Sequence, residues 1–161
     1  MAQGEEIFMQ DLTNLEINVI LFYKVKGEGK MQNVSRDTKN LKVAQKESEN
    51  ILDYCRDKYN IKPISIKVKN IGGGSAYYRT RYISIPIWAY NEGLNYFYAY
   101  VLHEISHFIN YDNPGYERGH TPVFQKIEKT LLLDFGMTPV YNKVYIKALK
   151  NEKGDTLYRS K

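Results

Sequence analysis

The sequence has few of the features that are typical of secreted or membrane proteins. Its single cysteine, Cys55, excludes an internal disulfide. Its densest apolar run, INVILFY at residues 17–23, is much shorter than the roughly 20 residues that span a bilayer. The N-terminus, MAQGEE, has neither the basic start nor the apolar stretch of a signal peptide. These absences predict an intracellular (cytoplasmic) protein with no membrane partner.

A dense block of basic residues is also missing, although the net charge is +5. Such a charge fits contact with nucleic acid or with an acidic partner, and it fits equally well a lysine-rich surface with neither role. Because the lysines are scattered, we expect any binding to nucleic acid to be weak. The sequence carries no indication of the oligomeric state.

The length of the chain predicts one domain over residues 1–161, and hydrophobic periodicity and turn residues predict both helices and strands, an α+β class. Residues 1–34 are an extension of unknown role, in which 15–26 alternate as in a strand, with a short helix as the alternative. A helix is predicted at 35–59, with Cys55 buried on its apolar stripe. The elements that follow are a strand at 64–70, two strands or one bent strand at 76–88, a helix at 92–110 capped by Asn91, a helix from Thr121 and Pro122 to Gly136, and a hairpin tail at 137–161 turning at NEKGD. Pro86 marks a strand end or an edge.

Histidine is scarce, and all three histidines fall within residues 99–124, AYVLHEISHFINYDNPGYERGHTPVF. His103, Glu104 and His107 form an H-E-x-x-H motif inside the predicted helix. Residues four apart share a helix face, so both imidazoles can bind a single ion. Glu104 then lies within reach of a zinc-bound water, whose pKa zinc lowers to about 7, and can act as its general base. The competing interpretation is a solvated helix face with two ordinary histidines.

A catalytic zinc site needs three protein ligands and one open position. His120 is the natural third ligand, because it stands directly before a helix start and follows a loop long enough to fold back. Glu117 and Glu128 are the alternatives. The pattern with a third histidine six residues after the second is excluded, since Asn113 occupies that place.

The run from about residue 38 to 136 resembles the SprT-like metallopeptidases and their minimal zincin relatives. The resemblance rests on ISIPIWAYNEGLNYFYAYVLHEISH, residues 83–107, and on HTPVF, residues 120–124, where Pro122 and Phe124 stand in the family's places. It implies a zincin-like fold, in which a small, twisted, mostly antiparallel sheet packs on a backing helix and on the H-E-x-x-H helix, with a C-terminal helix and hairpin.

The resemblance also implies one Zn2+ per chain, held by His103, His107 and His120, with Glu104 as general base. Two features depart from the family. The glycine usual after the third histidine is Thr121 here, and the tail has no cysteines with which to build a second zinc site.

In a zincin, an extended substrate pairs with an edge strand above the metal, so sequence preference can be weak. Residues 76–82, AYYRTRY, are the candidate edge strand, and a solvated amphipathic strand is the alternative. Arg79 and Arg81 would also suit phosphate contact. The loop tyrosines between the ligands could stabilise a developing oxyanion. The substrate-binding candidates are therefore Tyr78, Arg79, Thr80, Tyr111 and Tyr116.

These expectations lead to a zinc metallopeptidase, a hydrolase that cleaves protein or peptide substrates. One alternative is a non-catalytic binding or structural protein that keeps the zincin fold. Another is a DNA-associated protease. The intact Glu104 favours the first, because a protein without turnover has no chemical need for it.

Overall fold

The computed structural model describes residues 38–70 and 72–161 of the chain. Arg36–Lys161 form one compact unit. The extension at 1–34, the predicted strand at 15–26 and the first three residues of the predicted helix 35–59 lie outside the described residues. Among the residues described, no helix is both long and apolar enough to cross a membrane.

The described part of the chain is an α+β structure with four helices and six strands. The helices are α1 (Thr38–Tyr59), α2 (Ile87–Asn91), α3 (Leu94–Asp112) and α4 (Pro122–Asp134). The strands are β1 (Ser65–Lys69), β2 (Ser75–Tyr77), β3 (Tyr82–Pro86), β4 (Thr138–Asn142), β5 (Tyr145–Lys150) and β6 (Thr156–Arg159).

The first sheet has the strand order β1-β3-β2. β1 runs parallel to β3, with Ile66 opposite Ile83, and β2 runs antiparallel to β3, with Ala76 opposite Ile83. β1 alternates as predicted, because Ile66 and Val68 are buried while Lys67 is exposed. Because the strand order is β1-β3-β2, the short strand β2 lies at an edge of this sheet.

The segment 76–88 contains two strands, which was one of the two predicted alternatives. Pro86 is the last residue of β3, so its missing N–H falls at the end of the ladder. The prediction of β-structure at residues 87 and 88 is wrong, since α2 begins there. The predicted cap at Asn91 is also wrong, because Asn91 ends α2 and Gly93 precedes α3. Gly93 has φ 119°, a backbone conformation open mainly to glycine, and it separates the two helices.

The start of α4 follows its local signal. Thr121 caps the helix, with its hydroxyl accepting a hydrogen bond from the amide of Phe124 at 3.4 Å, and Pro122 is the first helical residue. The helix ends at Asp134, and Gly136 follows with φ 68°, as expected for a glycine that terminates a helix. α4 packs against α3 and so places the residues near its start beside the H-E-x-x-H motif.

The C-terminal tail is a three-stranded antiparallel sheet, β4-β5-β6, and not the simple hairpin predicted. The turn at NEKGD is confirmed between β5 and β6, where the amide of Asn151 donates to the carbonyl of Asp155 at 2.9 Å. The strand missed is β4, whose sequence TPVYN contains Pro139. β4 lies at an edge of its sheet, which is where proline is tolerated in a strand. The strands thus form two small sheets, in which three strand pairs are antiparallel and β1-β3 is parallel.

The core gathers around α3, which packs against α1, α2, α4 and the first sheet. Phe97, Leu102, Ile105 and Phe108 of this helix are fully buried, so its position is held on several sides. Cys55 of α1 is buried in the same core, as predicted. Burial and, secondarily, the charge of Asp134 raise the pKa of its thiol to about 12, so the thiol stays protonated.

Candidate metal centre

His103 and His107 lie one turn apart on the same face of α3. Their ring centroids are 4.9 Å apart, so the helix brings the two imidazoles to one point as the spacing predicts. The residues around them on α3 are largely buried, which holds the helix in place and leaves the two rings at its partly exposed face. A helix anchored in this way is a rigid support for ligands.

His120 joins the two from the loop that precedes α4. Its Nε2 lies 3.1 Å from Nε2 of His103, and its ring centroid lies 5.0 Å from that of His107. The loop is fastened to α3, because the side-chain amide of Asn110 donates to the carbonyl of Glu117 at 2.9 Å. The possible ligand atoms of the three histidines all lie within 4.8 Å of one another, which is close enough to hold a metal ion.

The separation of one pair of ring nitrogens, those of His103 and His120, fits two ligands of a tetrahedral ion. Zn–N bonds of about 2.0–2.1 Å at the tetrahedral angle place two ligand nitrogens about 3.3–3.4 Å apart. The 3.1 Å between His103 Nε2 and His120 Nε2 is close to this value. Two nitrogen lone pairs at such a distance repel each other unless a proton or a cation lies between them.

His107 and His120 are held in the neutral form that binds metals. Burial first, and then the charges of His103 and His120, lower the pKa of His107 to about 3. Burial and the charge of His103 also lower the pKa of His120, against an opposing effect of Glu128. A neutral imidazole is the form that donates a lone pair to a metal. At neutral pH these two rings are therefore ready to bind a cation.

Glu128, one of the alternative ligands, contacts the far side of His103 and not the point where the three rings meet. Its Oε1 lies 2.6 Å from His103 Nδ1, and its Oε2 accepts a hydrogen bond from the hydroxyl of Tyr141 at 2.8 Å. Only 1% of Glu128 is exposed. A carboxylate on the second nitrogen of a ligand histidine fixes the tautomer and the ring orientation. Glu117, the other alternative, is exposed and serves the loop through its backbone carbonyl.

Glu104 follows His103 directly and is only 5% exposed. Burial raises the pKa of its carboxyl to about 7, while the charge of His103 lowers it and that of Glu128 raises it further. Glu104 is thus a buried carboxyl next to His103 in the chain, with a proton affinity suited to exchanging protons near neutral pH.

Three of the predicted substrate-binding residues meet beside His107. Tyr78 stacks on Tyr111, with centroids 4.6 Å apart and planes 13° apart, and both contact Tyr116 edge-on. The hydroxyl of Tyr78 lies 3.3 Å from His107 Nδ1. Burial, followed by Tyr116 and the charge of Glu104, raises the pKa of Tyr78 to about 12, so its hydroxyl remains protonated. Because the contact is with Nδ1, Tyr78 holds His107 from behind and leaves Nε2 for the ion.

The other predicted contacts lie in the turn between β2 and β3. The residues 78–81 form this turn, so the proposed edge strand at 76–82 is a strand only as far as Tyr77. Arg79 and Thr80 are exposed, and the hydroxyl of Thr80 donates to the carbonyl of Tyr77 at 3.4 Å. The structure does not bring these two side chains into the tyrosine cluster beside His107.

Arg81, also suggested as a phosphate contact, has partners within the chain. Its guanidinium makes a two-point ion pair with Asp112 at 2.9 and 2.8 Å. It also donates to the carbonyls of Pro63 and Lys62 at 2.9 and 3.3 Å. Four of the donors that an arginine offers are thus engaged within the chain. Arg81 ties the β2–β3 turn to the end of α3, and its suggested phosphate contact stays a prediction.

Three further residues at the site were not assigned a role there from the sequence. Phe124 is fully buried, and its ring lies 4.4–5.1 Å from all three imidazoles. Tyr141 of β4 contacts Glu128, and Tyr145 of β5 lies 5.2 Å from the ring of His120 while 63% exposed. The sequence signal available for Phe124 was its place in HTPVF, whereas the two tyrosines reach the site through the tertiary structure alone.

No protein-family model, no curated protein and no solved structure matches this chain. The functional argument therefore rests on the geometry of the three histidines and of the groups that surround them.

Proposed function

We propose that this protein is a zinc-dependent metallopeptidase of a zincin-like, SprT-like type, which binds one Zn2+ per chain and cleaves protein or peptide substrates. The observation that carries the proposal is the cluster of three histidines, whose ligand atoms lie within 4.8 Å of one another, on a helix where the buried carboxyl of Glu104 directly follows His103. Three histidine ligands with one open position are typical of catalytic zinc sites.

When bound, zinc would polarise the substrate carbonyl and lower the pKa of its water to about 7. His103, His107 and His120 would hold the ion through Nε2. The Nδ1 atoms of His103 and His107 face Glu128 and Tyr78, which keeps both rings oriented.

Glu104 would act as the general base. Its carboxyl would accept a proton from the attacking water and then deliver it to the amine that leaves when the peptide bond breaks. Such a shuttle is efficient when the proton affinity of the group lies near the working pH. The burial of Glu104 excludes competing water around the carboxyl and strengthens its interactions.

The substrate would lie along β2. This strand is at the edge of the first sheet, packs against α3 and runs directly into Tyr78, which contacts His107. Its outer side offers backbone groups to an extended peptide, and pairing of this kind reads shape more than sequence. A peptide bound there would pass the H-E-x-x-H face of α3.

The test is peptide cleavage by wild-type protein and by Glu104→Gln, with zinc content measured on both. We expect the variant to keep its fold and its zinc while losing roughly two or more orders of magnitude in rate, as for a lost general base. Glu117→Gln is the matched control, because Glu117 is exposed and contributes only a backbone carbonyl. Zinc binding without cleavage by the wild type would instead support a non-catalytic binding protein. Equal cleavage by wild type and Glu104→Gln would remove Glu104 from the mechanism.

A further inference from the structure

We propose that Tyr141, in the C-terminal sheet, is a positioning residue of the metal centre that acts on His103 through Glu128. The inference rests on the metal-binding part of the proposed function and extends it to a segment that has no ligand of its own. Through Tyr141, the β4-β5-β6 sheet would contribute to the geometry of the metal centre.

Glu128 is the connecting group, and each of its two oxygens has one partner. Oε1 meets His103 Nδ1 at 2.6 Å, and Oε2 accepts from the Tyr141 hydroxyl at 2.8 Å. Because only 1% of Glu128 is exposed, water has little access to the place of a lost partner. A buried carboxylate that loses one hydrogen bond is strongly destabilised and moves to recover it.

Movement of the Glu128 carboxylate would change the orientation of the His103 ring and so the position of its ligand nitrogen. The contact with Glu128 sets the orientation of the His103 ring, and the ring orientation sets where Nε2 points relative to His120, 3.1 Å away. Without the Tyr141 hydroxyl, Oε2 has no donor and the carboxylate is free to rotate away from Nδ1. The ligand atom of His103 would then be less well placed, although no ligand has been changed.

The sheet is also fixed to α4, which carries Glu128. The side-chain amide of Gln125 donates to the carbonyl of Lys143, in the β4–β5 turn, at 2.9 Å. The hydroxyl of Tyr141 further contacts the carbonyl of Gln125 at 3.5 Å. Burial and Glu128 raise the pKa of Tyr141, so the phenol keeps its proton and remains a donor. The position of Tyr141 is therefore set by the same helix that it serves.

The experiment compares zinc affinity in Tyr141→Phe and Tyr98→Phe. Tyr98 is a close match, because its hydroxyl also donates to a carboxylate, that of Glu47, at 2.9 Å. Outer contacts of this kind change metal affinity by about 10–100-fold. We expect Tyr141→Phe to weaken zinc binding about tenfold and to change the visible spectrum of the cobalt-substituted protein. Tyr98→Phe should do neither, even where it lowers stability.

A double-mutant cycle separates action through Glu128 from a general loss of stability. If Tyr141 acts through Glu128, adding Tyr141→Phe to Glu128→Ala, which removes both contacts of the carboxylate, costs no further zinc affinity. Additive losses, equal losses in Tyr141→Phe and Tyr98→Phe, or an unchanged affinity in Tyr141→Phe would each overturn this inference while leaving the three-histidine site intact. Failure of the wild type to take up zinc would refute the metal centre itself and the inference with it.

Discussion

Gly74 is the position where a single added methyl group should disturb the strand that we propose to bind substrate. A Cβ built on Gly74 would lie 2.2 Å from Cε1 and 2.6 Å from Oη of Tyr100, on α3. The amide of Gly74 also donates to that hydroxyl at 2.9 Å. Since Gly74 directly precedes β2, its close approach to Tyr100 fixes the entry of the edge strand onto the helix that carries His103 and His107.

The cost of Gly74→Ala follows from these contacts. Overpacking costs about 1–3 kcal/mol, and loss of the hydrogen bond to Tyr100 costs about 0.5–1.5 kcal/mol. The reduced freedom of alanine in the unfolded chain returns about 0.4–1 kcal/mol. The net loss of stability should be roughly 2 kcal/mol. Gly73→Ala is the matched control, because a Cβ there meets nothing within 4 Å, and we expect no loss.

Urea unfolding followed by circular dichroism would measure the free energy of unfolding of both variants. Trp88, the one tryptophan of the chain, provides a local probe. Its ring packs edge-on against Tyr100 at 5.6 Å, and its Nε1 donates to the carbonyl of Gly72 at 3.1 Å. We expect Gly74→Ala to shift Trp88 fluorescence in the folded state and to raise KM for peptides, with zinc content unchanged. Equal midpoints for Gly74→Ala and Gly73→Ala would refute the reasoning, as would an equal penalty for Gly74→Ala after the ring is removed by Tyr100→Ala.

The remaining predictions concern metal, thiol and nucleic acid. Elemental analysis should find about one zinc per chain, and His120→Ala should lose far more affinity than Glu117→Ala; the reverse order would remove His120 from the ligand set. Cys55, fully buried and with a raised pKa, should resist thiol reagents in the folded protein and react in urea, and saturating zinc should slow its labelling; rapid labelling of the folded protein would contradict its place in the core. DNA binding should be weak and fade near physiological salt, because the basic residues are scattered and Arg81 is already paired; sub-micromolar affinity at that salt would favour a DNA-associated protease.

The elements that the sequence predicted well are those with local signals. Thr121 and Pro122 mark the start of α4 by capping and by the fixed φ of proline, and the structure shows both roles. The period of apolar residues likewise predicted α3 and the alternation of β1. Each of these depends on interactions within about four residues along the chain, so neighbouring residues carry enough information.

The predictions that were wrong concern elements that depend on tertiary packing, which local sequence patterns do not contain. Asn91 is a good capping residue, but in the structure it is the last residue of α2, and Gly93 with its positive φ precedes α3. Pro139 argues against a strand, yet β4 tolerates it because the strand lies at an edge. In both cases the packing of the segment determines which secondary structure forms. The local sequence does not determine the order of strands in a sheet.

The same division runs through the candidate site. Two histidines four apart on a helix, and a third before a helix start, can be recognised as possible ligands without a structure. Glu128 shows the limit of such recognition. From the sequence its carboxylate was a possible ligand, whereas in the structure it contacts Nδ1 of His103. Its other oxygen meets Tyr141, which is 13 residues further along the chain, on a strand that the sequence did not predict. The spacing of residues in the sequence can indicate which atoms bind an ion, but tertiary packing determines which groups orient those atoms. Variants of Glu128 and Tyr141 therefore test the site more sharply than variants of the histidines alone.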